Sequence, residues 1–389
     1  MVLVIIVLCA VVMFLVQEFI YRNFWYRNLE SKIEFQSDPV YEGEEATLIQ
    51  TVTNAKILPL PALHVKYQTD RKIQYKNHEN TNVSDKTYKH DVFSMMPYRQ
   101  ITRTLPIMCT GRGYFDIKEL TLTTSNIFMT SRFVEQYRIS THLYVYPRRI
   151  RTDRIEIPFR SLMGNIITRR VTNEDPFEFR GIRDYRPTDP MKSINWKASS
   201  KTDRLLVNLY DYTAGQEVRI LLNLEDDSSR REYDLLEESI RLAASLAERL
   251  IAAGVPVSLL TNGVDTLDPK TFSPEDSVKN VEAGSGGRHM QTLNEVLARI
   301  DLEREVFPMV QLIRKEIESS SSRKDQITYV LISYVQRPTI NEAFLGLTQQ
   351  VHAGSIWLLP VTPNMEIHVT DQRNAFDVYK WEVGKNDKK

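Results

Sequence analysis

The sequence predicts an α+β multidomain chain, with an N-terminal transmembrane helix, then a β-sandwich-like domain, then an α/β domain. Three observations carry this expectation. The first residues are uninterruptedly apolar, a long middle stretch alternates apolar and polar residues at period two, and the C-terminal half alternates apolar runs with amphipathic helical patterns.

The chain has 389 residues, enough for two or three domains. Apolar residues make up 42% and charged residues 26%, an ordinary globular balance that excludes a disordered, collagen-like or polytopic membrane chain. Fifty basic residues balance fifty acidic ones, so no global field steers the chain to nucleic acid. The two cysteines, Cys9 and Cys109, are poorly placed to pair, so no disulfide framework is expected.

Residues 2–16 (VLVIIVLCAVVMFLV) begin a hydrophobic segment that continues through Phe19, Ile20 and Tyr21. Only by reaching residue 21 does it meet the lower limit of roughly 17 residues for a spanning helix. A retained anchor over residues 1–21 is favoured over a cleaved signal or a buried core helix. A secretory signal would carry a basic leader and a small-residue cleavage site, and neither stands here. Arg22, Arg27 and Lys32 follow the run and nothing basic precedes it, which predicts a single-pass protein of the cell membrane with its bulk on the cytoplasmic side. Phe24, Trp25 and Tyr26 suit an interfacial belt. The helix could equally form half of a hairpin.

Residues 30–147 are expected to form the β-sandwich-like domain. Strand alternation is clear in residues 46–54 and 63–67, and turn signals fall at Glu42-Gly43-Glu44, at Pro59 and Pro61, and at Gly111-Arg112-Gly113. Residues 76–91, polar and rich in Asn, Lys and His, suggest an exposed hairpin or loop. Residues 148–216 are taken as a linker. Its first part, 148–170, holds seven arginines against Asp153 and Glu156. A solvated linker is favoured there over a lipid-binding stretch.

The α/β domain is expected over residues 217–365. Strands are predicted at 218–224, 256–261, 327–333 and 355–361. Helices are predicted at 234–253, 290–300, 303–319 and 341–351, with Gly254 as the stop of the first. Residues 366–389 are expected to be a weakly structured tail.

Residues 174–208, EDPFEFRGIRDYRPTDPMKSINWKASSKTDRLLVN, are the most distinctive stretch. They closely resemble the signature of the family called domain of unknown function 58: Arg-x-Tyr, then Gly-Asp-x-x-Arg-x-Ile-x-Trp, then a short basic stretch before an apolar strand. The match falls on Arg183, Tyr185, Asp189, Ile194 and Trp196. Thr188 departs from the usual Gly, Lys192 from Arg, and Ser200-Lys201 from Ala-Arg. The resemblance extends to Glu42-Gly43-Glu44, Asn54 and Arg112-Gly113-Tyr114, and reaches about residue 365.

The resemblance implies a membrane-anchored β domain followed by a von Willebrand factor A-like, Rossmann-type α/β domain. It implies a non-enzymatic interaction or adaptor protein that partners a MoxR-type AAA+ ATPase in cell-envelope-related assembly. A transglutaminase-like membrane protein is a further implied partner. The family offers no catalytic residue to carry over. The five signature residues admit two readings: a clasp that seats the segment against the sheet, with Trp196 as an apolar anchor, or a contact surface for a partner.

A von Willebrand A-like domain invites a test for its metal site, which takes oxygen ligands from three loops beginning Asp-x-Ser-x-Ser. The first loop here reads Asn223-Leu224-Glu225-Asp226-Asp227-Ser228-Ser229, and neither register reproduces the motif. Thr292 resembles the second-loop threonine, but Ser333-Tyr334 stands where the third loop needs Asp. No metal and no cofactor are expected. The alternative is a cation-dependent enzyme or metal-binding module centred on Glu225, Asp226 and Asp227, with Thr292.

The seven histidines show no zinc spacing, no phosphate loop of the Walker type is present, and Gly284–Arg288 suits a flexible loop better than an anion cradle.

Overall fold

The computed structural model describes residues 1–36, 39–76, 81–83, 86–172, 174–186, 191, 194–202, 204–212, 217–228, 231–320, 327–351, 354–363, 365–369 and 375–384. The fold is α+β with several sheets, and strands dominate. It divides into two compact units, one of Met1–Arg148 with Leu297–Arg299, the other of Arg149–Val296 with Ile300–Lys389.

The first unit opens with helix α1 (Val2–Phe24), 23 residues long and apolar enough to cross a membrane. The strands that follow are β1 (Leu29–Phe35), β2 (Val40–Tyr41), β3 (Glu45–Asn54), β4 (Leu60–Asp70), β5 (Ile73–Tyr75), β6 (Thr81–Val83), β7 (Lys86–Met95), β8 (Arg99–Cys109), β9 (Gly113–Ser125) and β10 (Arg132–Tyr146). They form two sheets, β1-β3-β8-β5 and β2-β10-β9-β4-β7-β6, which pack as a β-sandwich. Alternation places Ala46, Leu48 and Val52 of β3 and Leu63, Val65 and Tyr67 of β4 in one core with Phe93, Ile107, Leu120 and Leu143. Burying each such side chain contributes about 1.5–3 kcal/mol. Tyr21 and Trp25 join that core, so the end of α1 is built into the sandwich.

Of the two readings for residues 76–91, the hairpin holds, since β6 and β7 pair antiparallel, but it is not wholly exposed. Thr87, Lys89 and Asp91 of β7 point inward and are buried. The polar composition hid this because the inward charges answer one another: Lys89 pairs with Asp91 at 3.7 Å, and Arg103 reaches Asp91 at 3.5 Å.

In the second unit, residues 149–216 carry regular structure of their own rather than a bare linker: α2 (Thr152–Thr172), β11 (Glu174–Asp184), α3 (Trp196–Thr202) and β12 (Leu206–Tyr212). Ile155, Leu162 and Ile166 of α2 are buried at helical spacing. Its charges are engaged as well, because Glu156 pairs with Arg249 and Arg160, and the Arg154 guanidinium lies 4.3 Å from the Trp381 ring centroid. β11 and β12 pair antiparallel as a small separate sheet.

The remaining elements are β13 (Glu217–Leu222), α4 (Tyr233–Ala252), β14 (Val257–Thr261), β15 (Val264–Asp265), β16 (Lys279–Gly284), α5 (Gly286–Arg299), β17 (Ile300–Asp301), α6 (Met309–Ser320), β18 (Ile327–Ile332), α7 (Pro338–Val351), β19 (Ser355–Val361) and β20 (Phe376–Glu382). One six-stranded sheet runs β16-β14-β13-β18-β19-β20, parallel throughout except for the antiparallel edge strand β16. The four continuous apolar runs form its centre, as buried parallel strands must. α4 buries Leu235, Leu236, Ile240, Leu242, Ala243, Leu246 and Leu250. It ends as the sequence predicts: Gly254 sits at φ +77°, its N–H reaches the Ile251 carbonyl at 3.0 Å, and the Val255 N–H reaches the Leu250 carbonyl at 3.0 Å.

Two expectations shift. The helix predicted from residue 303 starts only at Met309, because Pro308 lacks an N–H and suits the entry to a helix rather than its interior. The supposed tail contributes β20, which pairs with β19 over seven positions and buries Phe376 and Trp381.

Candidate functional site

In open α/β sheets the crevice for ligands lies beyond the carboxyl ends of the strands, where the strand order reverses. Here the reversal falls between β13 and β18. The segments leaving these two strands are Asn223–Ser228 and Ser333–Arg337, and both are rich in polar side chains.

The inner layer is a set of neutral amides and hydroxyls. The buried Asn223 side chain donates to Ser333 Oγ at 3.0 Å, and its oxygen accepts from the Asn262 amide at 3.0 Å and from the Glu225 N–H at 3.0 Å. Asn262 also donates to the Phe307 carbonyl at 3.0 Å and accepts from the Leu224 N–H at 2.9 Å. Ser333 passes its own hydroxyl to the Val335 carbonyl at 3.1 Å, and its carbonyl accepts the Trp357 indole N–H at 2.9 Å. Every partner is buried and bonded, which makes this layer rigid.

The outer layer is charged. Glu225 Oε1 accepts the Met309 N–H at 3.0 Å, and Glu225 Oε2 pairs with the Arg337 guanidinium. Arg337 Nε reaches Asp227 Oδ2 at 3.0 Å, so one guanidinium serves two carboxylates. Burial raises the Glu225 pKa above the usual carboxylate range. The Met309 N–H and Arg337 oppose that rise, while Asp227 adds to it. Asp226 turns the other way. It accepts the Ser228 N–H at 2.8 Å, the Ser228 hydroxyl and the Glu232 N–H at 2.9 Å. Burial pushes its pKa up, but these bonds outweigh burial and hold the carboxyl below its usual range. Its charge also sits at the N-terminus of α4, where the helix dipole favours an anion. Burial, followed by the nearby Asp226 carboxylate, drives the Tyr334 hydroxyl well above its usual pKa.

A cavity of about 590 Å³ opens beside this layer, with Asp227, Tyr334, Arg337, Met365, Glu366 and His368 on its walls. Thr292 is exposed on α5, and its hydroxyl returns to the Arg288 carbonyl at 3.2 Å. Among the described residues no three His, Cys, Asp or Glu side chains form a group able to hold a metal ion. Sequence reasoning singled out Glu225 and Asp227 but missed Arg337, which lies 112 positions from Glu225.

The signature segment forms a second polar cluster. Ile194 is buried and bridges to Val207. The Tyr185 N–H bonds the Leu205 carbonyl at 2.8 Å, and the Asn195 N–H bonds the Leu206 carbonyl at 2.8 Å. Asn195 caps α3 by accepting the Ala198 N–H at 2.9 Å. Ser199 Oγ accepts the Leu206 N–H at 2.9 Å, which ties α3 to β12. The Arg183 guanidinium donates to the Asp184 carbonyl at 3.1 Å. Trp196, anticipated in one reading as a buried anchor, is 63% exposed at the start of α3; Ile194 takes the interior position instead. Asp189, with Thr188 and Lys192, lies outside the described residues.

No family model matches the sequence, and no curated protein matches it. Solved structures are similar only over a part of the chain. Domains D2 and D3 of the major pilin SpaD from Corynebacterium diphtheriae match at 6% identity and a TM-score of 0.22, over 28% of this chain and 51% of that one, about half its length. The sixth cohesin of scaffoldin B from Acetivibrio cellulolyticus, in complex with a Cel5 dockerin mutant, matches at 9% identity and a TM-score of 0.23, over 30% of this chain and 98% of that one. The CARDB domain of the PF1109 protein from Pyrococcus furiosus, in complex with di-metal ions, matches at 17% identity and a TM-score of 0.19, over 30% of this chain and 90% of that one. Likeness at this level carries no functional argument.

Proposed function

We propose that the chain is a membrane-anchored, non-enzymatic interaction protein whose second unit is a von Willebrand factor A-like domain. In this reading α1 spans the cell membrane, the bulk of the chain lies on the cytoplasmic side, and a MoxR-type AAA+ ATPase is the working partner in envelope-related assembly. A transglutaminase-like membrane protein would be a further partner. The strand order supports the domain reading. Numbered within the main sheet, it runs 3-2-1-4-5-6, a doubly wound order, with an antiparallel edge. The signature residues Arg183, Tyr185, Ile194 and Trp196 support the family reading, and the exposed Trp196 supports a contact role for that segment.

The observation that carries the non-enzymatic reading is the Arg337 guanidinium between Glu225 and Asp227. The segment after β18 supplies a cation to the carboxylates of the first loop, at the place where an adhesion-type domain would use an external one. Two measurements test the proposal. Crosslinking in native membranes followed by purification of the full chain should recover an AAA+ ATPase, and recovery of none defeats the partnership. Calorimetric titration with Mg²⁺ or Mn²⁺ should give no binding heat. Saturable heat abolished by Glu225→Gln would instead favour a cation-dependent module at this loop.

A further inference from the structure

The exposed apolar side chains of the first unit are not spread evenly over its loops. Three loops stand at the end of the sandwich where α1 enters, and hydrogen bonds tie each to that end. The Tyr21 hydroxyl donates to the Pro59 carbonyl at 2.7 Å. The Ala55 N–H bonds the Asn28 carbonyl at 2.9 Å, and the Tyr98 N–H bonds the Lys56 carbonyl at 3.2 Å. The Asn54 side chain donates to both the Leu58 and Met96 carbonyls at 3.0 Å. Asn126 donates to Glu18 Oε2 at 2.9 Å.

These loops expose Ile57, Met96, Tyr98, Ile127, Phe128 and Met129, with Ile57 at 76% and Tyr98 at 71%. The loops at the opposite end expose no large hydrophobic side chain among the described residues. Isolated exposed apolar residues are ordinary, but three loops carrying them at one end form a patch that needs a partner.

The position of the patch along α1 says what that partner is. The Phe128 ring stacks on Phe14 at 6.3 Å between centroids. Phe14 lies within the uninterrupted apolar run, seven residues before the buried Tyr21. At 1.5 Å per residue that is roughly 10 Å up the helix. The run from residue 2 to residue 16 is roughly 22 Å long, short of the roughly 30 Å hydrocarbon core. A domain seated against the bilayer, with its loops entering the interfacial layer, relieves that mismatch. Arg22, Arg99 and Arg132 are exposed around the same end, where each can attract anionic headgroups.

Resting on the reading of α1 as a membrane helix, we infer that the loops bearing Ile57, Met96, Tyr98 and Ile127-Phe128-Met129 insert into the phospholipid surface beside the anchor. The first unit is then held flat against the membrane by four contacts, one helix and three loops. Tyr98 and Phe128 suit the task, since aromatic rings favour the headgroup boundary.

The test uses the full chain carrying Cys9→Ser, reconstituted in phosphatidylcholine–phosphatidylglycerol vesicles. With Cys109 also replaced by Ala, single cysteines at Leu8, Ile57, Tyr98, Phe128 and the far-end Arg71 carry an environment-sensitive fluorophore. Quenching by nitroxide-labelled lipids is compared with quenching by aqueous iodide. The three loop probes and Leu8 should lose emission to the lipid quencher, and Arg71 to iodide alone. If Leu8 is quenched only by iodide, the anchor reading fails and this inference with it. If Leu8 responds to lipid while the three loop probes behave like Arg71, the inference is overturned and the anchor stands.

Discussion

The Tyr21 hydroxyl donates to the Pro59 carbonyl at 2.7 Å, and Tyr21 itself is almost wholly buried. The apolar helix is therefore fastened into the sandwich rather than joined to it by a free tether. Tyr21→Phe keeps the ring and removes the bond, leaving the Pro59 carbonyl unserved. The expected cost is about 1 kcal/mol, measured as a lowered urea midpoint of the purified chain. An unchanged midpoint would mean that ring burial alone fastens the helix.

Arg337→Ala leaves Glu225 and Asp227 facing each other without their shared cation. Arg337 is partly exposed, so solvent softens the loss, and about 1–2 kcal/mol of destabilisation is expected. Arg337→Lys keeps the charge but not the fork, and should recover only part of the loss. Thermal unfolding of the three proteins side by side checks the order.

Trp381→Ala tests whether the last strand is integral. The indole donates to Glu238 Oε1 at 2.9 Å, and the ring is buried under Arg154. A cost of about 3–5 kcal/mol is expected from the cavity and the lost bond to Glu238, whose other oxygen keeps its pair with Arg241. A loss below about 1 kcal/mol on denaturant titration would mark β20 as dispensable.

Burial pushes the Lys56 ammonium down to about 8. Its folded pKa thus lies below the ordinary 10.5, and between these values the unfolded chain holds more protons. Stability should rise with pH across that window, and below about 8 the full penalty for the buried charge is present. Lys56→Met should flatten the rise. Urea midpoints collected across the window give the slope for both proteins.

His64 and His90 stack on neighbouring strands, with Nδ1 of one 2.7 Å from Nε2 of the other. Burial, then each other and the nearby Arg132 and Lys66, hold His64 below its ordinary pKa. Burial and Lys66 lower His90 against an opposing pull from Asp91. Both folded values are depressed, so stability is complete above about pH 6.5 and declines as the pH falls below it. His90→Asn should shrink that acid-side decline, read as the change in unfolding midpoint between neutral and mildly acidic buffer.

Much of the second unit was legible before its structure. Runs such as Ile220–Leu222 and Val330–Ile332 are apolar on both faces, and only a sheet covered on both sides accommodates them. The helix ending at Gly254 announced itself through its period and its stop. β20 was hidden because an edge strand buries only some positions, here Phe376 and Trp381, and the four residues between them mix charged and apolar side chains without a clean alternation. α2 was hidden because its arginines outnumber the three apolar residues that seat it. At the candidate site, Glu225 and Asp227 stood out by charge. Arg337 did not, because its meaning depends on a strand crossover that brings two distant loops together. Trp196 misled because size and apolarity argue for burial, whereas the cap at Asn195 starts α3 in a way that turns the ring outward.

The polar residues at the sheet's switch point respond to solvent in two different ways. Asn223, Asn262 and Ser333 hold the strand ends together without any net charge, so neither salt nor acid has a handle on them. Arg337 and its two carboxylates form an ionic latch outside that neutral bolt, and added electrolyte weakens only the latch. The cavity wall at Arg337 and Asp227 can therefore loosen with ionic strength while the strand ends keep their shape.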